Sequence, residues 1–280
     1  MNANSIHPGL NDFLLSALNE DIGAGDVTTN CCVPAGSMSS GRFIAKQPGV
    51  ISGLGVIAVL FKLLDEDVLL KPLVSDGDEV GANDVIAEIT GPSRSILTGE
   101  RVALNLLQHM SGVATRTSRA VKAVSGTKTS IVDTRKTTPG LRALDKYAVR
   151  CGGGSNHRFN LADGVLIKDN HIAAAGGVMN SVTQARKVCP LTLKVEVEVE
   201  SIEQVREALE AGADIIMLDN MPLDTMAEAV KLIDGRALVE ASGNMGDRDL
   251  KAVAGTGVDF ISIGALTHSV TAMDISLRFE

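Results

Sequence analysis

The sequence KVEVEVE, residues 194–200, is the most informative segment for the architecture of this chain. Its glutamates and valines alternate, so a strand formed here carries charge on one face and aliphatic groups on the other. Taken alone, this pattern is typical of an antiparallel strand with one solvated face. The neighbouring strand-like segments, however, are apolar on both faces, as in a parallel sheet between helices. We therefore expect the valines to pack on a helix layer and the glutamates to point into the interior or mouth of a barrel.

The surrounding sequence repeats a strand-then-helix pattern, which predicts a parallel sheet, open or closed into a barrel. The six predicted strands are TSIVDT (129–134), GVLIK (164–168), LTLKVEVEV (191–199), ADIIMLD (213–219), RALVEAS (236–242) and VDFISIG (258–264). The helices predicted between them cover 172–188, 201–211, 222–232 and 247–254. One more strand is expected in or beside the irregular region 135–163.

The residues before this repeat are expected to form a different unit of mixed strands and helices. Segments 11–19 and 56–64 have apolar residues at helical spacing, and a long helix is predicted over 95–124. Between them, residues 71–92 carry Asp-Gly and Gly-Ala turn signals that separate short apolar strands.

The composition limits the class of protein. Of 280 residues, 45% are hydrophobic, with no Trp, one Tyr and six Phe, so the core is aliphatic. A pI near 5.2 and scarce aromatic residues argue against a nucleic-acid partner. No apolar run is long enough to span a bilayer, and the N-terminus lacks a signal-peptide pattern. The four cysteines follow no disulfide or zinc spacing, which predicts reduced thiols and a cytoplasmic location.

One basic segment stands out in this acidic chain. Residues 133–171 contain seven Arg or Lys and four acidic residues, which gives the segment a net charge of +3 in a chain of net charge −8. Concentrated cations beside a Gly-Gly-Gly turn and two histidines predict a site for a small anion with several charges. We assign His157 to this site, whereas His171 fits either the site or a helix cap.

Reactive side chains also follow every predicted strand. One polar residue after a strand is usually a helix cap, but six polar strand ends in succession favour a catalytic site at the carboxyl ends of barrel strands. Cations that can neutralise carboxylates and phosphates are Arg135, Lys136, Arg158 and Lys168. Carboxylates at adjacent strand ends that can hold Mg²⁺ are Glu198 and Asp219. Glycine turns that lead into predicted helices, and so predict phosphate sites, are Ser242-Gly243-Asn244 and Ile263-Gly264-Ala265.

Specific motifs extend these observations over nearly the whole chain. They include TRKTTPGLR (134–142), GGG (152–154), NHR (156–158), KDNH (168–171), EVEVE (196–200), MLDN (217–220) and ISIGALTHS (261–269). With them the sequence resembles the quinolinate phosphoribosyltransferase family of type II phosphoribosyltransferases. The resemblance implies an α/β fold, with an N-terminal α/β sandwich domain at 1–107 and a C-terminal open α/β barrel of parallel strands at 108–280. Residues 270–280 are a candidate addition to the sandwich. One departure is Asn244, where the family commonly has a second glycine.

The resemblance also implies an activity: Mg²⁺-dependent transfer of phosphoribosyl from phosphoribosyl pyrophosphate to quinolinate, with decarboxylation. The products are nicotinate mononucleotide, pyrophosphate and CO₂, on the de novo route to NAD. It implies a homodimer in which Arg101 reaches the partner's site. Residues expected to contact quinolinate are Arg101, Arg135, Lys136, His157, Arg158 and Lys168. Residues expected to contact phosphoribosyl pyrophosphate are Glu198, Asp219, Ser242, Gly243, Asn244, Ser262 and Gly264. Catalytic roles are expected for Lys136, Lys168, Glu198 and Asp219, with Mg²⁺ on the two acids and a lysine stabilising the carbanion left by CO₂.

Three alternatives remain open at this point. A related type II enzyme could act on another aromatic acid, a lyase could use Lys168 as a Schiff-base nucleophile, and a non-catalytic module could bind phosphate. The dense cationic cluster favours a dicarboxylate over nicotinate, and the mixture of acids and bases argues against simple binding. The long irregular connection 135–152 is a candidate lid over the site.

Overall fold

The computed structural model describes residues 7–279. Residues 1–6 and Glu280 lie outside the described residues. The N-terminal segment in which no signal-peptide pattern was found therefore lies partly outside them. The chain divides into two compact units. The first consists of the residues up to Ser118, Thr138–Gly153 and the residues from Ser269 onward, and the second of Arg119–Thr137 and Gly154–His268.

The elements alternate along most of the chain. In the first half they are α1 (Leu10–Ile22), α2 (Val27–Cys32), β1 (Met38–Ala45), β2 (Gly49–Val50), α3 (Leu54–Leu64), β3 (Leu69–Pro72), β4 (Glu79–Val80), β5 (Val85–Pro92), α4 (Ser93–Ala123) and β6 (Ser130–Val132). In the second half they are α5 (Arg142–Cys151), β7 (Val165–Ile167), α6 (Asp169–Ala175), α7 (Val178–Val188), β8 (Val195–Val199), α8 (Ile202–Glu210), β9 (Ile215–Asp219), α9 (Leu223–Ile233), β10 (Leu238–Ser242), α10 (Leu250–Gly255), β11 (Phe260–Ser262), α11 (Ala265–His268) and β12 (Ile275–Phe279).

The first unit is built on an antiparallel sheet of order β12-β1-β5-β3. Helix α3 packs against β3 and α1, and its Ile57, Leu60 and Phe61 are fully buried. The C-terminal segment enters this sheet because β12 pairs with β1. The predicted helices at 11–19, 56–64 and 95–124 are confirmed as α1, α3 and α4. The predicted domain boundary after residue 107 falls inside α4.

The second unit is a parallel sheet of order β6-β11-β10-β9-β8-β7, which contains all six predicted strands. The valines of β8, Val195, Val197 and Val199, are at most 1% exposed on the face covered by α7 and α8. Strand β8 lies between the parallel strands β7 and β9, so the antiparallel interpretation of residues 194–200 is wrong. The prediction of a parallel α/β core is confirmed.

The parallel sheet is curved. Glu196 on β8 and Glu240 on β10 lie 3.1 and 3.4 Å from the same atom, Nε2 of His157, although β9 separates the two strands. In a flat sheet, strands two apart are about 10 Å from each other. The glutamates therefore converge on the concave interior, as expected for the charged face of residues 194–200.

Three predictions for individual segments differ from the structure. The helix predicted over 172–188 is interrupted between α6 and α7, because Gly176 and Gly177 have φ angles of 78° and 125°, which a helix excludes. The connection 135–152, expected to be irregular, contains α5, whose residues 144–149 are all buried, so the irregular backbone is limited to the residues before this helix. The extra strand expected near 135–163 is reduced to a single parallel bridge from Ser155 to Val132.

No helix within residues 7–279 is both long and apolar enough to cross a bilayer. All four cysteines lie in the described part of the chain and are free thiols, as predicted.

Candidate active site

Four cationic side chains line one cavity of about 270 Å³ in the second unit. Arg135 and Lys136 follow β6, Arg158 follows the Gly-Gly-Gly turn, and Lys168 follows β7. The structure thus brings together the four cations predicted from the strand ends. Hydroxyl groups on the same wall belong to Thr134, Ser242 and Ser262.

The two arginines of this cavity oppose each other electrostatically. Burial of the Arg158 guanidinium, and then the positive charge of Arg135, lower the pKa of Arg158. The Arg158 side chain is oriented by Nη1, which donates to the carbonyl of Gly164 at 3.0 Å. Paired guanidinium groups in a partly desolvated cavity favour an anion between them, because its charge relieves their repulsion and offers bidentate acceptors.

The two predicted metal ligands lie at neighbouring strand ends. Glu198 on β8 pairs in register with Met217 on β9, and Asp219 follows two residues later on the same face. One oxygen of Glu198 forms an ion pair with Lys168, and Oδ2 of Asp219 accepts from Asn220 at 2.7 Å. The second oxygen of each carboxylate has no hydrogen-bond partner within residues 7–279. Two half-buried carboxylates with an available oxygen each fit the hard-ligand preference of Mg²⁺.

The predicted phosphate turn after β10 is held open by its glycine. Gly243 has a φ angle of 93°, and a Cβ there would lie 2.2 Å from Oδ1 of Asn220. Asn244 has a φ angle of 51°, in the left-handed region that asparagine tolerates better than other non-glycine residues. Asparagine therefore preserves the turn at the position where the family commonly has glycine.

The helix predicted directly after this turn starts later, as α10 at Leu250. Its first amides donate to the side chain of Asp249, so they are not available to a phosphate. Gly264, by contrast, directly precedes α11, and a Cβ there would approach Lys136 Cδ to 2.9 Å. The Lys136 side chain therefore passes close to the Gly264 backbone at this strand end.

The two histidines considered for the site, His157 and His171, have different hydrogen-bond partners. Nε2 of His157 faces two glutamates, and Nδ1 accepts the amide of Arg158 at 2.7 Å, so neither ring nitrogen is available to a ligand in this conformation. His157 nevertheless lines the cationic cavity. Nδ1 of His171 accepts the amide of Lys168 at 2.9 Å, which matches the capping interpretation.

The predicted residue Arg101 is an exposed side chain of α4 in the first unit. Three buried acids of the second unit were missed as site residues: Asp133, Glu196 and Glu240 are 0%, 3% and 2% exposed. The sequence contained an indication of their role. An acid inside an apolar strand, such as the glutamate of RALVEAS, is expected to be buried and therefore needs a buried partner.

Comparison with known proteins places this geometry in a family. Profiles for the N-terminal and C-terminal domains of quinolinate phosphoribosyl transferase match residues 26–111 and 113–278. The chain belongs to the quinolinate phosphoribosyltransferase family. Among relatives, it is 48% identical to the probable nicotinate-nucleotide pyrophosphorylase [carboxylating] of Bacillus subtilis, over 96% of this chain and 91% of that one.

Two further family members show the same extent of similarity. Quinolinate phosphoribosyltransferase [decarboxylating] 2, mitochondrial, of Nicotiana glauca is 43% identical over 98% of this chain and 84% of its own length. The solved nicotinate-nucleotide pyrophosphorylase of Francisella tularensis is 40% identical and superposes with a TM-score of 0.91, over 99% of this chain and 97% of that one. The two-unit architecture is therefore that of the family.

Proposed function

We propose that this protein transfers the phosphoribosyl group of phosphoribosyl pyrophosphate to quinolinate and releases CO₂, forming nicotinate mononucleotide and pyrophosphate for NAD biosynthesis. The family and the names of its members support this activity. The structural observation that carries it is the cavity lined by Arg135, Lys136, Arg158 and Lys168. Quinolinate has two adjacent carboxylates, and four cations around one small cavity match that charge.

The chemistry needs positioning more than proton transfer. The pyridine nitrogen of quinolinate is a neutral nucleophile, so no general base has to activate it. Arg135 and Arg158 hold the carboxylates so that this nitrogen faces C1 of the ribose, and such positioning supplies roughly 7–11 kcal/mol of barrier reduction in well-oriented reactions. Loss of the 2-carboxylate as CO₂ leaves the electron pair of the broken bond on ring carbon C2, next to the positively charged ring nitrogen. Lys136 or Lys168 stabilises that carbanion electrostatically until C2 takes up a proton from water, which gives nicotinate mononucleotide.

Glu198 and Asp219 are the proposed Mg²⁺ ligands and the proposed contacts of the ribose hydroxyls. When bound, Mg²⁺ neutralises charge on the departing pyrophosphate. Ser242, Gly243, Asn244, Ser262 and Gly264 are the proposed contacts of the 5-phosphate. The open Gly243–Asn244 turn and the two strand-end hydroxyl groups support this assignment.

The assembly proposed for the protein is a homodimer in which Arg101 completes the partner's quinolinate site. Its exposure on α4 leaves the guanidinium accessible for that role. The proposed location is the cytoplasm, which the four free thiols support.

The structure weighs against a Schiff-base lyase. Lys168 forms an ion pair with Glu198, and an ammonium held by a carboxylate is a poor nucleophile. The test compares quinolinate with nicotinate as acceptors, each with phosphoribosyl pyrophosphate, Mg²⁺ and, in parallel samples, borohydride. Turnover of quinolinate alone, with no trapped adduct, is expected. Preference for nicotinate would show that the protein acts on another aromatic acid. A covalent adduct on Lys168 would show that it is a Schiff-base lyase.

A further inference from the structure

Two buried glutamates in the interior of the curved sheet have no part in the proposed mechanism. Glu196 lies on β8 and is 3% exposed, and Glu240 lies on β10 and is 2% exposed. Oε1 of each has no hydrogen-bond partner within residues 7–279. Burying two acids in this way costs stability, which an apolar pair of similar size would avoid. Such a cost points to a role beyond folding.

Both acids converge on one side chain. Nε2 of His157 is 3.1 Å from Oε2 of Glu196 and 3.4 Å from Oε2 of Glu240. On the opposite side of the ring, the amide of Arg158 donates to Nδ1 at 2.7 Å. Because Nδ1 accepts a hydrogen bond, it carries no proton, so Nε2 carries the proton and donates it to the carboxylates. The imidazole is therefore fixed in one tautomer and one orientation.

The protonation of the His157 imidazole is subject to two opposing influences, the charges of the glutamates and the hydrogen bond from Arg158. Burial disfavours the imidazolium, but the hydrogen bonds and charges of Glu196 and Glu240 outweigh burial and raise the pKa of His157 to about 10. A proton on Nδ1 would nevertheless face the Arg158 amide at 2.7 Å. Charging the ring therefore requires the loss of the Arg158 hydrogen bond.

The same three residues also resemble a cation site, since one ligand atom from each lies within 4.8 Å of the others. A metal ion would need a bare Nε2 on His157. The Arg158 amide at Nδ1 requires the proton to be on Nε2 instead, so the geometry disfavours a metal ion.

The ring in turn fixes the segment that presents Arg158. A third buried acid, Asp133, accepts from the Asn156 amide side chain at 2.6 Å and from the His157 backbone at 2.9 Å. Buried acids on or directly after β6, β8 and β10 thus hold Asn156 and His157, and His157 in turn accepts the backbone amide of Arg158, which contributes a cation to the cavity. Of these acids, Glu196 is not among the residues that line the cationic cavity.

We propose that Glu196, with Glu240, is a positioning residue: it holds the His157 imidazole, and through it orients Arg158 for the carboxylates of quinolinate. This inference rests on the proposed function. It implies that Glu196 affects the binding of quinolinate but not the binding of phosphoribosyl pyrophosphate.

The test measures the KM of each substrate for Glu196→Leu, Glu196→Gln and the control Glu207→Leu on the exposed face of α8. Loss of a charge-assisted hydrogen bond is expected to raise the KM for quinolinate roughly 10–100-fold in Glu196→Leu. The KM for phosphoribosyl pyrophosphate stays within about 2-fold of wild type. Glu196→Gln recovers much of the loss, because its amide oxygen still accepts from His157. The control behaves as wild type.

A second measurement does not depend on the folding of a variant or on activity. Nitrogen NMR of the labelled wild-type protein reports the tautomer of His157, and the Nε2–H form is expected. The Nδ1–H form, or a stoichiometric metal ion on Nε2, would overturn the inference. An unchanged quinolinate KM in folded Glu196→Leu would overturn it too, with the proposed function intact. If the wild-type protein does not react quinolinate with phosphoribosyl pyrophosphate, the proposed function is wrong. The NMR result on the His157 tautomer would remain valid in that case.

Discussion

Arg135 and Arg158 are held in a cavity where their charges disfavour each other, and this arrangement costs stability until an anion binds. Sites built for binding commonly accept such a cost, because the repulsion is converted into affinity when the ligand arrives. At the scale of single residues, recognition of quinolinate therefore depends on the fork geometry of two guanidinium groups in addition to the charge of the lysines.

Replacing Arg135 with Ala is expected to abolish measurable turnover of quinolinate. Hydrogen bonds to charged groups contribute about 1.5–3 kcal/mol each, so loss of a bidentate clamp lowers kcat/KM by about 10²-fold or more. Steady-state kinetics with both substrates provide the measurement, and Arg206→Ala, on the exposed face of α8, is the control. Retained activity in Arg135→Ala would remove this residue from the site.

Replacing Gly243 with Ala is expected to destabilise the phosphate turn. The residue has a positive φ angle, and the added Cβ would meet Asn220 at 2.2 Å. The free energy of unfolding should fall by about 1–3 kcal/mol, and the KM for phosphoribosyl pyrophosphate should rise. Urea denaturation and kinetics measure the two effects. Gly255→Ala is the control, because a Cβ there meets nothing within 4 Å. Equal behaviour of the two variants would contradict the account of this turn.

At the scale of elements, the carboxyl ends of β8 and β9 bring Glu198 and Asp219 to one edge of the sheet. The sheet supplies this proximity, since parallel strands in register carry their last residues to the same level. Neither carboxylate needs a special local conformation. The two elements therefore determine where a cation can be held, and the side chains determine which cation fits.

The double variant Glu198→Ala, Asp219→Ala is expected to lose the Mg²⁺ dependence of phosphoribosyl pyrophosphate use. Titration of activity against Mg²⁺ at several concentrations of that substrate tests this. The matched control is Glu203→Ala, Asp224→Ala, which removes two exposed acids from the adjacent helices α8 and α9. A Mg²⁺ response identical to wild type in the site variant would show that the metal is bound elsewhere or not used.

The sequence was sufficient to predict these strand ends but not every element between them. The alternation of residues 194–200 predicted a charged face in a barrel interior, and the structure confirms it through Glu196. Helix α5 was missed although its apolar residues have helical spacing, and the burial of its charged residues Asp145 and Lys146 is a tertiary feature that no local pattern predicts. The contacts of Glu240 with His157 were also missed, since they depend on curvature that no local pattern records.

At the scale of the whole molecule, the chain contributes Arg101 from one unit and the cationic cavity from the other. In the proposed homodimer, Arg101 of one subunit completes the cationic cavity of the other. In a closed two-fold dimer every contact across the interface occurs twice, so each dimer contains two equivalent sites.

This arrangement predicts complementation between inactive variants. Arg101→Ala and Arg135→Ala should each be inactive, yet a mixture refolded or coexpressed together should regain up to about a quarter of wild-type activity. In a mixed dimer one site receives an intact Arg101 and an intact Arg135, while the other lacks both. Activity measured before and after subunit exchange tests this. A mixture that stays inactive after proven exchange would place both residues in one subunit's site.

The central claim is that the cationic cavity binds quinolinate for a reaction that forms nicotinate mononucleotide and releases one carboxylate as CO₂. The most direct measurement uses quinolinate labelled at either carboxyl carbon, incubated with the protein, phosphoribosyl pyrophosphate and Mg²⁺. Labelled CO₂ is expected from the 2-carboxylate only, in equal amount to the nicotinate mononucleotide formed, and the 3-carboxylate label is expected to remain in that product. Absence of the nucleotide, or CO₂ from the 3-carboxylate, would contradict it.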